Sequence, residues 1–121
     1  MKARGVHHVS INVVDLAEAL PFYVEILGFE PLPRPDFGFP GAWLAIGGPG
    51  GQQLHLIATG ERHVAHGEHF AVAVDGIDEI CAELRARGVQ VSDPMALPGA
   101  GRQAFLQDPS GNVIELNEPR S

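Results

Sequence analysis

Four ionisable residues of the chain are of types that bind divalent metals: His8, His55, His69 and Glu115. They form two sets with matching spacing, because His69 follows His8 by 61 residues and Glu115 follows His55 by 60. Three imidazoles and a carboxylate suit a divalent metal such as Zn, Ni, Co, Mn or Fe. A bound cation would also offset the cost of burying the carboxylate. The spacing therefore predicts a metal site, although no short motif marks it.

The spacing arises because the chain repeats one order of elements. In the first half, residues 7–14 alternate as a strand, and residues 15–29 predict a helix that Asp15 caps and Gly28 ends. Pro21 is awkward in that helix and predicts a late start or a kink. A short strand then begins near residue 29, and a hairpin turned by GGPGG at 47–51 ends this half.

The second half repeats these signals. It predicts a strand at 69–74, a helix at 75–88, a strand at 89–92 and a hairpin formed by 102–107 and 112–117. Each half is therefore a β-α-β-β-β module, and two such modules predict an α+β fold with curved sheets around a cleft. We expect a single domain over 1–121, with module one at about 1–58, a linker at 59–68 and module two at about 69–121.

Side-chain alternation places the four residues on corresponding faces of their strands. His8 shares a face with Ser10 and Asn12, whereas His7 shares the face of the apolar residues that must meet the helix. His55, His69 and Glu115 likewise face away from the apolar residues of their strands. If both sheets curve, the four can converge on one ion, with His7 left as a structural or solvent-facing neighbour.

Composition limits the function classes. The chain has 121 residues, 45% of them hydrophobic and 19% charged, which is typical of a globular domain. Its net charge of −7 argues against nucleic acid and anionic membranes as partners. The single cysteine excludes an intrachain disulfide, and no apolar run approaches the roughly 18 residues of a membrane span. We therefore expect a cytoplasmic protein that acts on a small molecule.

The chain resembles the vicinal oxygen chelate superfamily, which includes glyoxalase I, bleomycin resistance proteins and extradiol dioxygenases. The resemblance rests on HHVSINVVDL…FYVEILGF, on HFAVAVDGID and, most specifically, on DPSGNVIEL. It covers nearly the whole chain. It implies a metal held by residues of the first and last strand of each module, which are the four positions reached above from alternation.

The resemblance implies a metal-dependent lyase or isomerase that acts on a small oxygen-chelating carbonyl substrate. Glu115 is then a ligand and also the candidate proton-transfer residue. Two departures weaken a glutathione-dependent assignment. His55 stands where glyoxalase I commonly has a carboxylate, and Asn12 stands where it tends to carry an arginine that anchors glutathione.

Two other functions stay open. A metal-free protein could use the same cleft to sequester a drug or metabolite, as bleomycin resistance proteins do, although those relatives usually lack the metal set. A small iron extradiol dioxygenase is the other alternative, although such enzymes typically have longer chains and three ligands. The fosfomycin enzymes also use two histidines and one glutamate, which would leave His55 outside the set.

A loop and a strand supply candidate substrate contacts. The loop PRPDFGFPGAW offers an apolar wall and one cation: Arg34, Phe37, Phe39 and Trp43. Arg102 starts a strand in the second half and could meet a substrate carboxylate, although a solvated role competes. Some relatives complete each site across a dimer, and we expect a homodimer here.

Overall fold

The computed structural model describes residues 1–48 and 50–119, so Pro49 of the predicted GGPGG turn lies outside it. Within these residues the chain forms strands, two α-helices and a π-helical segment. The strands are β1 His8–Val13, β2 Glu30–Leu32, β3 Gly41–Ile46, β4 Gln52–Ala58, β5 Phe70–Ala73, β6 Met95–Leu97, β7 Gly101–Gln107 and β8 Val113–Glu118. The helices are α1 Leu16–Leu20 and α2 Ile77–Ala86, and the π-helical segment is Pro21–Ile26.

The strands form two four-stranded mixed sheets with the same topology. Their orders are β1-β4-β3-β2 and β5-β8-β7-β6. In each sheet the first and last strands of the module pair in parallel, and the remaining pairs are antiparallel. The predicted α+β fold and its internal duplication are confirmed. The chain divides into two compact units between His63 and Val64, a point inside the predicted linker.

The first helix changes its hydrogen bonding at Pro21. Helix α1 begins after Asp15, whose Oδ1 accepts a hydrogen bond from the backbone N–H of Glu18 at 2.8 Å. Pro21 has no N–H to donate to the preceding turn, so the regular ladder is interrupted there. The chain continues as a π-helical segment, in which Leu27 donates to the carbonyl of Phe22. The awkward proline thus marks a change of helix type.

Helix α2 is capped by a side chain from the end of the sheet. Its N-cap residue is Gly76, which has φ +73° and no side chain to accept a hydrogen bond. The carboxylate of Glu118 replaces that cap, because its Oε2 accepts from the N–H of Ile77 at 2.8 Å. An acidic group at a helix N-terminus is also favoured by the helix dipole. The C-terminal strand of the sheet therefore fixes the start of α2.

The strand predicted at residues 89–92 is wrong, and the edge strand β6 lies at Met95–Leu97 instead. Ser92 donates its N–H to the carbonyl of Phe105, but its side-chain Oγ accepts the return bond from Phe105. That side chain replaces the carbonyl that would continue a ladder. Pro94 next supplies no N–H, and regular pairing with β7 starts only after it.

A buried turn residue, Asp108, sets the start of β8. Its Oδ1 accepts from the N–H groups of Ser110 at 2.9 Å and Asn112 at 2.8 Å, and its Oδ2 accepts from the Asn112 side chain at 2.9 Å. All three residues are buried. The DPSGN segment is therefore a hydrogen-bonded turn that positions the strand carrying Glu115. No helix in the described part of the chain is long and apolar enough to cross a membrane.

Candidate functional site

The predicted alternation is visible in β1. His8, Ser10 and Asn12 are exposed, while burial increases along the opposite face to the fully buried Val13. His7 precedes the strand and is exposed, and its Nδ1 lies 2.9 Å from Nδ1 of His8. Of the two adjacent histidines, His8 therefore belongs to the strand and His7 lies outside it.

The candidate ligands occupy the same diagonal in both sheets. His8 lies opposite Gln53 in the parallel β1–β4 pair, so His55 is two residues farther along β4. Ala71 lies opposite Glu115 in the parallel β5–β8 pair, so His69, two residues before Ala71, is related to Glu115 by the same offset. Side chains on such a diagonal are within reach of each other when they are long. The repeat therefore creates one pair of ionisable groups in each unit.

In the second unit the pair is joined by a hydrogen bond between the side chains of His69 and Glu115. Nδ1 of His69 lies 2.8 Å from the carbonyl oxygen of Gly67, and Nε2 lies 3.0 Å from Oε1 of Glu115. The Gly67 carbonyl can only accept, so Nδ1 of His69 carries a proton. The Gly67 hydrogen bond, with help from Glu115, raises the pKa of His69 above its ordinary value. The raised pKa favours the protonated form of the His69 ring beside Glu115.

Two residues that sequence reasoning missed hold Glu115 in place. The side-chain amide of Asn117 donates to Oε2 of Glu115 at 2.8 Å and to the carbonyl of Ala100 at 3.1 Å. Phe105, directly opposite Glu115 on β7, packs edge-on against His69 with ring centroids 5.6 Å apart. Glu115 is only 6% exposed as a result. Asn117 could have been found from the sequence, because it follows Glu115 by two residues on the same strand face.

In the first unit the pair is part of a stack of rings, which we call the aromatic ladder: His8, His55, Trp43, Phe37 and Phe39. The first two centroids are 4.0 Å apart, and His55 to Trp43 measures 4.6 Å, both with nearly parallel planes. Trp43 to Phe37 and Phe37 to Phe39 each measure 5.9 Å. Offset-stacked aromatic contacts of this kind are stabilising. The predicted loop wall and the predicted imidazoles therefore form one continuous surface.

His55 is the centre of this ladder, and its ring is held on three sides. His8 and Trp43 cover its two faces, and Nε2 lies 2.9 Å from Oε1 of Gln53. Because that oxygen is an acceptor, Nε2 donates and Nδ1 keeps the free lone pair. Burial lowers the pKa of His55 below its ordinary value, and the charge of nearby His8 lowers it further. The ring is therefore neutral at physiological pH.

The contact between His55 and Trp43 gives a measurable pH dependence. Protonated imidazole quenches a tryptophan that it touches, and Trp43 is the only tryptophan in the sequence. In metal-free protein, we expect Trp43 fluorescence to fall as the pH is lowered, with a midpoint below the ordinary histidine value of about 6.5. The replacement His55→Gln should remove the transition. A midpoint at or above the ordinary value would contradict a neutral, half-buried ring.

The two predicted arginines differ in their surroundings. Arg34 is half-buried, and its guanidinium carbon lies 5.0 Å from the ring centroids of both Phe37 and Phe39. Arg102 instead donates both of its terminal nitrogens to the carboxylate of Asp78, at 2.7 and 2.9 Å. That hydrogen bonding lowers the pKa of Asp78. Arg102 as a substrate contact stays a prediction, and it would require release of Asp78.

The donor chemistry of the second unit fits a divalent metal. An imidazole nitrogen and a carboxylate oxygen are donor types that divalent metals bind. Nε2 of His69 and Oε1 of Glu115 are 3.0 Å apart, and a backbone carbonyl already orients the ring through Nδ1. Such a second partner is typical of a metal-binding histidine. A metal would replace the proton on Nε2.

In the first unit, the ring nitrogens of His8 and His55 are not oriented to bind one metal ion. A ring nitrogen binds a metal in the plane of its ring, and the planes of His8 and His55 are inclined by only 16° at a centroid distance of 4.0 Å. One ring must therefore turn before both can bind one ion. Within residues 1–48 and 50–119, no group of three or more His, Cys, Asp or Glu side chains is arranged to hold a metal ion. The structure places the four predicted ligands as two pairs, one in each unit.

Known proteins are similar to the chain in sequence and fold. The model of the Glyoxalase/Bleomycin resistance protein/Dioxygenase superfamily matches residues 5–116. The "Probable lactoylglutathione lyase" of Synechocystis sp. is 32% identical, over 94% of this chain and 95% of its own length. A glyoxalase-family protein from Bacillus anthracis has 30% identity and a TM-score of 0.84, over 99% of this chain and 98% of that one. TnmS3, an antibiotic-binding protein from Streptomyces sp. CB03234, has 35% identity and a TM-score of 0.76, over 99% of both chains.

Proposed function

Because the chain belongs to the Glyoxalase/Bleomycin resistance protein/Dioxygenase superfamily, we propose that it is a divalent-metal-dependent enzyme of the glyoxalase-like type. Its proposed reaction is a lyase or isomerase step on a small carbonyl substrate with adjacent oxygens. The observation that carries this proposal is the pair of His69 and Glu115, with donor atoms 3.0 Å apart. His8, His55, His69 and Glu115 are the proposed metal ligands.

A bound divalent metal supplies Lewis-acid chemistry, which stabilises the negative charge that develops on a substrate oxygen. The residues of this chain supply orientation and proton transfer. His69 is oriented by the Gly67 carbonyl, and Glu115 is held by Asn117 through Oε2. The carboxylate of Glu115 is buried and acceptor-only when ionised, so it is suited to take a proton from carbon next to a carbonyl and return it.

The aromatic ladder is the proposed wall for the apolar part of the substrate, through Phe37, Phe39 and Trp43. Phe37 is 50% exposed and Phe39 is 47% exposed, so both can contact a ligand. Arg34, stacked on these two rings, is the proposed partner for an anionic group of the substrate. Asn12, in place of a glutathione-anchoring arginine, favours a substrate other than a glutathione adduct.

Metal analysis of two neighbouring variants tests the proposal. We expect purified protein to contain close to one equivalent of Zn, Ni, Co, Mn or Fe, or to take it up on titration. The replacement His8→Ala should lower metal affinity by more than about tenfold, because it removes a ligand, while His7→Ala should keep it. Elemental analysis and calorimetric titration measure both. Metal below about 0.1 equivalent, with no uptake on titration, would exclude the metal-dependent enzyme.

A second candidate function is favoured by one observation, the aromatic ladder. A stack of partly exposed rings can hold a planar aromatic ligand without any metal. TnmS3, which shares 35% of its sequence with this chain, is described as an antibiotic-binding protein. Under this alternative the chain sequesters a drug or metabolite. Metal-free protein that binds aromatic compounds tightly, and shows no turnover of dicarbonyls, epoxides, acyl-CoA thioesters or catechols, would favour it over the enzyme.

We also propose that the chain is a homodimer. Met95 and Leu97 are 64% and 42% exposed on the edge strand β6, and apolar side chains at a sheet edge favour contact with another protein surface. Light scattering at several protein concentrations measures the mass directly. A monomer throughout the range would contradict this assignment.

A further inference from the structure

We propose that the substrate of this chain is a 2-oxo acid that carries a second carboxylate at the far end of a short carbon chain, and that Arg34 binds this second carboxylate. The inference names the substrate class of the site proposed above and rests on that proposed function. The keto and carboxylate oxygens of a 2-oxo acid are adjacent, so they can chelate a divalent metal held beside His8 and His55. The second carboxylate follows from the position of Arg34 on the same sheet.

The strand register shows that Arg34 lies on the same face of the sheet as the imidazoles. Trp43 of β3 is directly opposite His55 of β4. Gly41 is two residues before Trp43, so both present the same face of the strand. A Cβ added to Gly41 would lie 2.8 Å from Nη2 of Arg34. The guanidinium therefore occupies the space above Gly41, next to the aromatic ladder.

The distance along the strands separates the cation from the imidazole of His55. Gly41 is opposite Ile57, which follows His55 by two residues on β4. Two residues of a strand correspond to a rise of about 7 Å. The adjacent oxygens of one 2-oxo acid group are too close together to span such a distance, whereas a chain of a few carbon atoms can. Arg34 is therefore placed to meet a second, more distant group of the substrate.

The surface between the two polar ends is apolar. The side chains of Trp43 and Ile57 lie on this face beside Gly41, and both residues are half-buried. A carbon chain that packs on them removes apolar surface from water on both sides of the contact. This surface thus favours methylene groups between the 2-oxo acid group and the second carboxylate.

The guanidinium of Arg34 is available to a ligand anion. Within residues 1–48 and 50–119 it forms no salt bridge, and its central carbon lies 5.0 Å from the ring centroids of Phe37 and Phe39. A guanidinium can donate two parallel hydrogen bonds to one carboxylate. Arg34 is also the only lysine or arginine among residues 8–58, which include all four strands of this sheet. One positive charge balances a carboxylate but only part of the charge of a phosphate.

Binding of two matched probes, 2-oxohexanedioate and 2-oxohexanoate, tests the proposal. They share the 2-oxo acid group and the chain length, and they differ only in the terminal carboxylate. Trp43 lies on the surface between the two ends, so its fluorescence at constant pH follows both titrations. We expect 2-oxohexanedioate to bind at least about tenfold more tightly, because it gains charge-assisted hydrogen bonds to Arg34. The net charge of −7 disfavours a second negative charge, so this preference requires a local cation.

Three variants locate the cation. Arg34→Met keeps an unbranched side chain without the charge and should bind both probes equally. Arg34→Lys should keep part of the preference, since lysine retains the charge but not the fork of donors. Arg4→Met, at an exposed arginine that precedes β1, should keep all of it. Equal binding of the probes to the original protein, no saturable change with either probe with or without metal, or a preference that survives Arg34→Met would each overturn the proposal.

Repeating the titrations on metal-free and metal-loaded protein separates this inference from the proposed enzyme. Loading should tighten the binding of both probes by the same factor, because they share the chelating group, and should leave the ratio of their affinities unchanged. If the protein takes up no metal but keeps the preference, the metal-dependent enzyme is excluded and the assignment of Arg34 is supported. If metal tightens both probes equally but the ratio is one, the chelate site is supported and the second carboxylate is excluded.

Discussion

The replacement Glu115→Gln is expected to lower turnover by about 10²–10⁴-fold, the range for loss of a general base. Glutamine keeps the shape of the side chain and can still accept from Asn117, but it cannot take a proton at neutral pH. The loss of charge also removes an ionic ligand, so metal affinity should fall by more than about tenfold. Turnover with the substrate found by screening and calorimetric metal titration measure the two effects.

The matched control for this prediction is Glu83→Gln, which makes the same change on the exposed face of α2. It should leave metal affinity and turnover within about twofold of the original protein. If Glu115→Gln retains full turnover at saturating metal, proton transfer belongs to another group. If it retains metal affinity but loses turnover, Glu115 is a base and not a ligand.

The replacement Asp108→Ala is expected to lower the free energy of unfolding by about 3 kcal/mol. The carboxylate accepts three hydrogen bonds from buried donors of Ser110 and Asn112. Removing the carboxylate takes an acceptor away from each of these donors. Each buried donor that stays unsatisfied costs about 1–3 kcal/mol of folding free energy. Urea denaturation monitored by circular dichroism gives the free energy and its midpoint.

Asp36→Ala is a control with the same local chemistry in a different environment. Oδ1 of Asp36 accepts from the N–H of Gly38 at 2.9 Å, but both residues are exposed, so water replaces the lost hydrogen bond. We expect a loss of less than about 0.5 kcal/mol. Similar losses for the two variants would show that burial of the DPSGN turn is not what stabilises it.

Alternation along strands predicted much of the architecture. Side chains alternate between the two faces of a strand, and this placed His8 on the face opposite the apolar residues of β1. The equal spacing of the two halves matched their strands to each other. Both inferences depend on backbone geometry alone. The same reasoning could have reached Gln53 and Asn117, which lie two residues from His55 and Glu115 on the same faces. The fold class and the β-α-β-β-β order of elements along each half were thus available from the sequence.

Other features depend on side-chain conformations that no period encodes. The stacking of His55 between His8 and Trp43 needs particular rotamers on three strands, and it makes the first unit's pair an aromatic contact. The displacement of the edge strand to Met95–Leu97 needs the hydroxyl of Ser92 to substitute for a carbonyl. The assignment of His8, His55, His69 and Glu115 as metal ligands remains a prediction.

The shared diagonal of the two sheets has an evolutionary consequence. The position of each pair is defined by strand register, so a single codon change at residue 55 or 115 exchanges the chemistry of one half without disturbing the backbone of either. One copy has stacked imidazoles, while the other has an imidazole hydrogen-bonded to a carboxylate. A duplicated scaffold of this kind can diversify by altering its halves one at a time: His55→Glu would give the first half the combination of imidazole and carboxylate that the second half already has.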